Sequence, residues 1–61
     1  MKIILARRNM FLALINNCVY YTFNTNEATD FSNMEVGEFA DCKKELEKRE
    51  MCEFEIKFVR S

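Results

Sequence analysis

Glu53 and Glu55 stand two residues apart in an alternating stretch, where an extended chain would point both carboxylates the same way. Such a pair can move a proton or hold a divalent ion. The plainer reading is the wet side of a strand, because Lys57 continues the row and nothing nearby offers the apolar cleft that raises a carboxyl pKa. Glu38, Asp41 and Glu45 read likewise as the solvated side of a helix, since a cation site needs oxygens converging from separate segments. Arg7 and Arg8 form a second candidate, a grip for phosphate or carboxylate, weighed against a charged edge that discourages stray strand pairing. Cys18, Cys42 and Cys52 are odd in number and lack C-x-x-C spacing, so they read as reduced and buried, with a Cys42–Cys52 disulfide as the lesser alternative. With no histidine, the chain has no ready general base near neutral pH, no Cys/His zinc site and no Ser/His or Cys/His nucleophile pair. We expect no catalytic residue, no metal and no cofactor. Binding, not turnover, is the expectation.

The remaining composition points the same way. Sixty-one residues with no proline and one glycine make a single domain, residues 1–61. A chain this short hides only about 60% of its unfolded surface, too little to carve a deep cleft. Residues 1–25 hold Lys2, Arg7 and Arg8 without an acid, whereas residues 26–61 hold six basic and ten acidic side chains. No run of like charges forms a basic arm, so direct nucleic-acid binding is not expected. The apolar run Met10–Ile15 ends at Asn16-Asn17, too short for a signal peptide core or a membrane span. A cytoplasmic protein is expected.

The elements that would position these side chains are legible from periodicity. Asn16-Asn17 lies between two six-residue apolar segments, and asparagine tolerates the positive φ of a two-residue turn, so 10–15 and 18–23 should pair antiparallel. One face then carries Met10, Leu12, Leu14, Val19, Tyr21 and Phe23; the other carries Phe11, Ala13, Ile15, Cys18, Tyr20 and Thr22. Lys2–Ala6 is also strand-like. Across Arg7-Arg8-Asn9 a bulge in one long strand is favoured over a turn, which would want glycine; the bulge brings Ile3 and Leu5 onto the Leu12 face. Asn24–Asp30 is polar loop. Ser32-Asn33-Met34-Glu35 fits a capping box, and the stripe Val36, Phe39, Ala40, Cys42 and Leu46 predicts a helix over 33–49, with Lys43–Glu47 and Glu45–Arg49 spaced for surface pairs. Cys52, Phe54, Ile56 and Phe58 then alternate with Glu53, Glu55 and Lys57, predicting a half-buried strand antiparallel to the first. The expected fold is α+β: a small antiparallel sheet, strand order 2-1-3 and topology ββαβ, with one helix packed on one face.

One helix covers one face of a sheet. The second hairpin face is too apolar to be fully wet, so either it packs on the 24–32 loop or it is an association surface. On the second reading, Phe11 and Tyr20 belong to a partner-binding surface.

With hairpin, helix and final strand placed, several local patterns resemble the Dmd-type antitoxins of T-even-like phages. Phe39-Ala40-Asp41-Cys42-Lys43-Lys44-Glu45-Leu46-Glu47-Lys48 is similar to that family's aromatic-Ala-acid-x-x-Lys-x-Leu-x-Lys stretch. Met51-Cys52-Glu53-Phe54-Glu55 resembles its hydrophobic-Cys-Glu-hydrophobic-acid ending, and Asn16-Asn17 followed by Val19-Tyr20 resembles its hairpin. The resemblance covers residues 14–23 and 39–55. It implies a phage protein, acting in the host cytoplasm, that binds a host endoribonuclease toxin of the RnlA/LsoA kind and blocks its access to RNA. The acids of the C-terminal half suit a positively charged RNA cleft, with Glu53 and Glu55 the sharper candidate contacts and Phe11 and Tyr20 the apolar anchors of the partner-binding surface. The competing expectation is a small self-associating structural or interaction protein, a homodimer through the apolar hairpin face, with no nuclease target.

Overall fold

A computed structural model describes residues 1–60; Ser61 lies outside the described residues. The chain forms β1 (Lys2–Arg7), β2 (Met10–Ile15), β3 (Cys18–Thr22), α1 (Val36–Glu50) and β4 (Glu55–Val59). The four strands make one antiparallel sheet in the order β3-β2-β1-β4. Asn16 and Asn17 take φ of 52° and 64°, the left-handed pair that a tight hairpin demands, and Ile15 pairs with Cys18 and Leu14 with Val19 as expected. The expected bulge is absent. Arg7 pairs with Met10 across a two-residue turn, with Arg8 at φ 58°, so the long first strand is two strands and the topology is βββαβ, not ββαβ. Without glycine the turn costs about 1–2 kcal/mol at Arg8. A turn and a bulge give the same parity, however, so Ile3 and Leu5 do share a face with Leu12.

The β1–β2 hairpin opens almost at once. Only Arg7–Met10 and Ala6–Phe11 are in register. Beyond them the alternation of antiparallel pairing aims the peptide groups of Ile3 and Leu12 into the widening gap, where they need partners. The polar loop supplies them. Thr29 donates its N–H to the Leu12 carbonyl (3.1 Å), and its Oγ1 accepts the Leu14 N–H at 2.6 Å. Phe31 donates to the Ile3 carbonyl (2.8 Å), and Asp30 Oδ1 accepts the Ile3 N–H (3.1 Å). Thr22 holds Glu27 at 2.9 Å on the side away from the helix, whereas Phe31 is buried on the helix side. The loop thus crosses the sheet through the mouth of the hairpin.

Phe31 joins Leu5, Leu12, Leu46 and Phe54 in the core, with Phe39, Cys42, Leu14, Val19 and Tyr21 packed around them. Each such side chain contributes roughly 1.5–3 kcal/mol when fully buried. The Phe31 and Phe39 rings meet at 5.4 Å, linking the wedge to the helix. Seating Phe31 has a local consequence. Ser32 donates its N–H to Asp30 (2.9 Å) and Met34 donates to the Phe31 carbonyl (3.1 Å), so residues 32–34 form a turn and the helix starts at Val36 instead of 33. The Ser32/Glu35 capping box therefore does not form; Glu35 occupies the cap position without a side-chain bond. At the other end Met51 turns left-handed (φ 53°), and the Cys52 N–H returns to the Glu47 carbonyl at 3.1 Å. Glu47 also accepts the Phe54 N–H at 2.8 Å, which delays β4 to Glu55. Lys43 pairs with Glu47 at 2.7 Å as expected, but Arg49 reaches the Asn17 carbonyl instead of Glu45.

Two predictions concern the wedge. Thr29→Val keeps the shape of the side chain and removes the acceptor of the Leu14 N–H, so urea denaturation should show a loss of about 1–2 kcal/mol; a loss within experimental error refutes the role given to the hydroxyl. The second concerns pH. The N–H groups of Ser32 and Ile3 hold the Asp30 carboxyl below its ordinary value. A depressed folded-state pKa adds stability that is complete above the unfolded value of about 3.9 and disappears as pH falls through the folded one. Asp30→Asn should flatten the acid limb of the stability profile, and an unchanged limb would count against the assignment.

Candidate functional site

The register places the expected contact residues relative to one another. Ala6 pairs with both Phe11 and Glu55, and Phe11 with Thr22, so Glu55, Ala6, Phe11 and Thr22 form one row across the helix-free face. Phe11 and Glu55 are then two strand spacings apart, about 10 Å. Tyr20 pairs with Ala13, the next position along β2 on that face, so it is the diagonal neighbour of Phe11. Phe11 is half-buried and Tyr20 is 52% exposed. Glu53 and Glu55 are both exposed. The fold therefore gathers Phe11, Tyr20 and Glu55 on one surface, while Glu53 precedes β4 at its margin. Glu55 is not free, because Lys57 pairs with it at 3.2 Å.

The loop covers part of the leftover face and leaves part of it open. Ile4, Ala6 and Ala13 point away from the helix and are nonetheless buried, as is Ala28 of the loop that crosses there. Toward the Asn16-Asn17 tip the loop no longer reaches. Ile15 is 56% exposed, and Cys18 is exposed too, against its expected burial; Cys42 and Cys52 are half-buried. All three thiols are free. What remains uncovered is a compact patch of Ile15, Cys18 and Tyr20 on a rigid hairpin, rimmed by Phe11. Ile15 was assigned to this face by alternation, but its exposure follows from where the loop crosses, which no periodicity reports.

Arg7 and Arg8 diverge. Arg7 lies on the helix side, with its guanidinium 5.8 Å from the Tyr21 ring centroid and donating to the Tyr21 hydroxyl (3.3 Å), which in turn donates to Glu50 at 2.9 Å. Burial raises the Tyr21 hydroxyl pKa above its ordinary value; the Arg7 hydrogen bond opposes this, and Glu50 acts in the same direction as burial. That hydrogen-bonded chain raises the Arg7 pKa as well. Arg7 is thus engaged with Tyr21 at the margin of the core. Arg8 is exposed at the turn and lines an open pocket of ≈ 210 Å³ with Arg7, Met10 and Tyr21.

On the opposite margin the helix stripe is less buried than its spacing suggests. Val36 is 85% exposed, and Ile56 and Phe58 of β4 are open as well, so the expected apolar side of the last strand is buried only at Phe54 and partly at Cys52. α1 begins there only at Val36, after the 32–34 turn. Among the described residues no helix is long and apolar enough to cross a membrane, and no cluster of acids and cysteines is arranged to hold a metal ion.

Arg8 carries its own test. Replacing it with glycine relieves the left-handed strain and should raise stability by about 1 kcal/mol in thermal unfolding; a destabilised Arg8→Gly would mean that the side chain holds the turn in place. No family model, no curated protein and no solved structure matches this chain.

Proposed function

We propose that this chain is a stoichiometric protein inhibitor of the antitoxin kind that its helix and final strand resemble, acting on a host endoribonuclease toxin of the RnlA/LsoA type in the cytoplasm. The observation that supports this reading is the uncovered hairpin patch. Ile15, Tyr20 and Phe11 sit side by side on paired strands, which hold them in place before any partner arrives and so reduce the ordering cost of binding. Aromatic and aliphatic anchors of this sort carry most of the energy of small interfaces. Glu53 and Glu55 stand across the sheet from the patch. In a basic RNA groove they act as steering charges, with Glu53 the stronger of the two because Lys57 already offsets Glu55. The inhibitor blocks RNA by occupying its groove and does no chemistry itself.

Titration of the purified protein into an RNA-cleavage assay of an RnlA/LsoA-type enzyme tests the reading. Cleavage should stop at one inhibitor per active site. Tyr20→Asp should weaken inhibition by about 2 kcal/mol or more, roughly thirtyfold. Glu53→Lys with Glu55→Lys should mainly slow association and remove its salt dependence. Undiminished cleavage under excess inhibitor defeats the proposal, and full potency of both variants in folded protein defeats the surface assigned to it.

A further inference from the structure

The sheet has two free edges, and they differ. Near β3 the end of the helix touches the turn and one side chain: Arg49 donates to the Asn17 carbonyl at 3.2 Å and Glu50 accepts from the Tyr21 hydroxyl. Along β4 the helix contact among the described residues is Glu47, which takes the Phe54 N–H just before the strand. Ala6, Ile4 and Lys2 pair with Glu55, Lys57 and Val59. Alternation in the β1–β2 hairpin turns the peptide groups of those β1 residues toward β4, so Glu55, Lys57 and Val59 are bonded inward and Ile56 and Phe58 present theirs outward. A straight strand without proline or bulge, with outward donors and acceptors, is a template for another strand. Its helix side is also uncovered. Ile56 lines a groove of ≈ 360 Å³ against Val36, Phe39 and Ala40, and Phe58 is 66% exposed.

We infer that β4 pairs antiparallel with β4 of a second copy, forming a symmetric dimer with a continuous eight-stranded sheet. Charge and bonding parity select one register. With Ile56 opposite Ile56, the two residues exchange both peptide hydrogen bonds, and each Phe58 N–H reaches the second copy's Phe54 carbonyl. Glu55 then lies opposite the second copy's Lys57, and Lys57 opposite the second copy's Glu55, at the close non-hydrogen-bonded positions where side chains interact most strongly. The ion pair within each chain becomes a four-charge alternation across the dyad. The next permitted register sets Lys57 against Lys57 and loses both pairs. In the selected register Phe58 of each copy lies beside Phe54 of the other, at the open side of the groove between α1 and β4. The interface is at the small end of specific contacts, so the dimer is a concentration-dependent one. It rests on the β4 edge and does not require nuclease inhibition, although Glu55 belongs to both surfaces.

Sedimentation equilibrium of the full chain across micromolar to millimolar concentrations should show reversible dimerisation. Lys57→Glu brings like charges together and should weaken the dimer by about tenfold or more. The charge-exchanged double variant, Glu55→Lys with Lys57→Glu, restores both cross-pairs and should return the affinity to within about threefold of the original. These exposed positions leave the core intact, and circular dichroism checks that the fold is retained. Amide exchange at Ile56 and Phe58 should slow as concentration rises. A monomer at millimolar concentration, a dimer indifferent to Lys57→Glu, or one abolished by Tyr20→Asp instead would overturn the inference.

Discussion

Everything in this fold hangs on four hydrogen bonds made by three consecutive loop residues. A hairpin that closed normally would pair Leu5 with Leu12 and Ile3 with Leu14, and the loop would have no reason to enter the sheet. Because β1 and β2 separate after two pairs, Thr29, Asp30 and Phe31 satisfy peptide groups from both strands at once. The same insertion delivers Phe31 to the core, against Leu5, Leu12 and Phe39. Backbone satisfaction and apolar burial are thus one event, and in so small a protein, where net stability is only a few kcal/mol, neither is dispensable.

The wedge also decides what the surface looks like. By crossing from the helix-free side to the helix side it shelters Ile4, Ala6 and Ala13 and leaves the far end of the hairpin bare. By demanding a turn at 32–34 it pushes the helix start to Val36 and uncovers the margin between α1 and β4. Two apolar regions, on opposite edges of the sheet, therefore stay open. They differ in what borders them: an aromatic tip on a closed hairpin in one case, and a strand with outward peptide groups and alternating charge in the other.

Local chemistry was readable wherever one segment dictated its own form. Asn16-Asn17, the two faces of the hairpin, the Lys43–Glu47 pair and the antiparallel partnership of first and last strands all follow from spacing and turn chemistry. The errors share a different character. Arg8 in a left-handed turn, the unused Ser32/Glu35 box and the late start of β4 each reflect a tertiary demand overriding a local preference. The contact residues divide in the same way. Phe11, Tyr20 and Glu55 could be assigned to one face by alternation, but the exposure of Ile15, Val36 and Phe58 depends on the path of a loop whose polar sequence has no periodicity at all.

The partnership of β1 and β4 bears on how the molecule is made. β4 is the last of the five elements to be synthesised, yet it covers an edge of the first, and Phe54 just before it completes the core. Until that segment emerges, the nascent chain holds two hairpins and a helix around an unfinished interior, with β1 open on one flank. Folding is accordingly deferred to the end of translation of this segment, and a chain cut short before Phe54 is a natural substrate for chaperones and proteases.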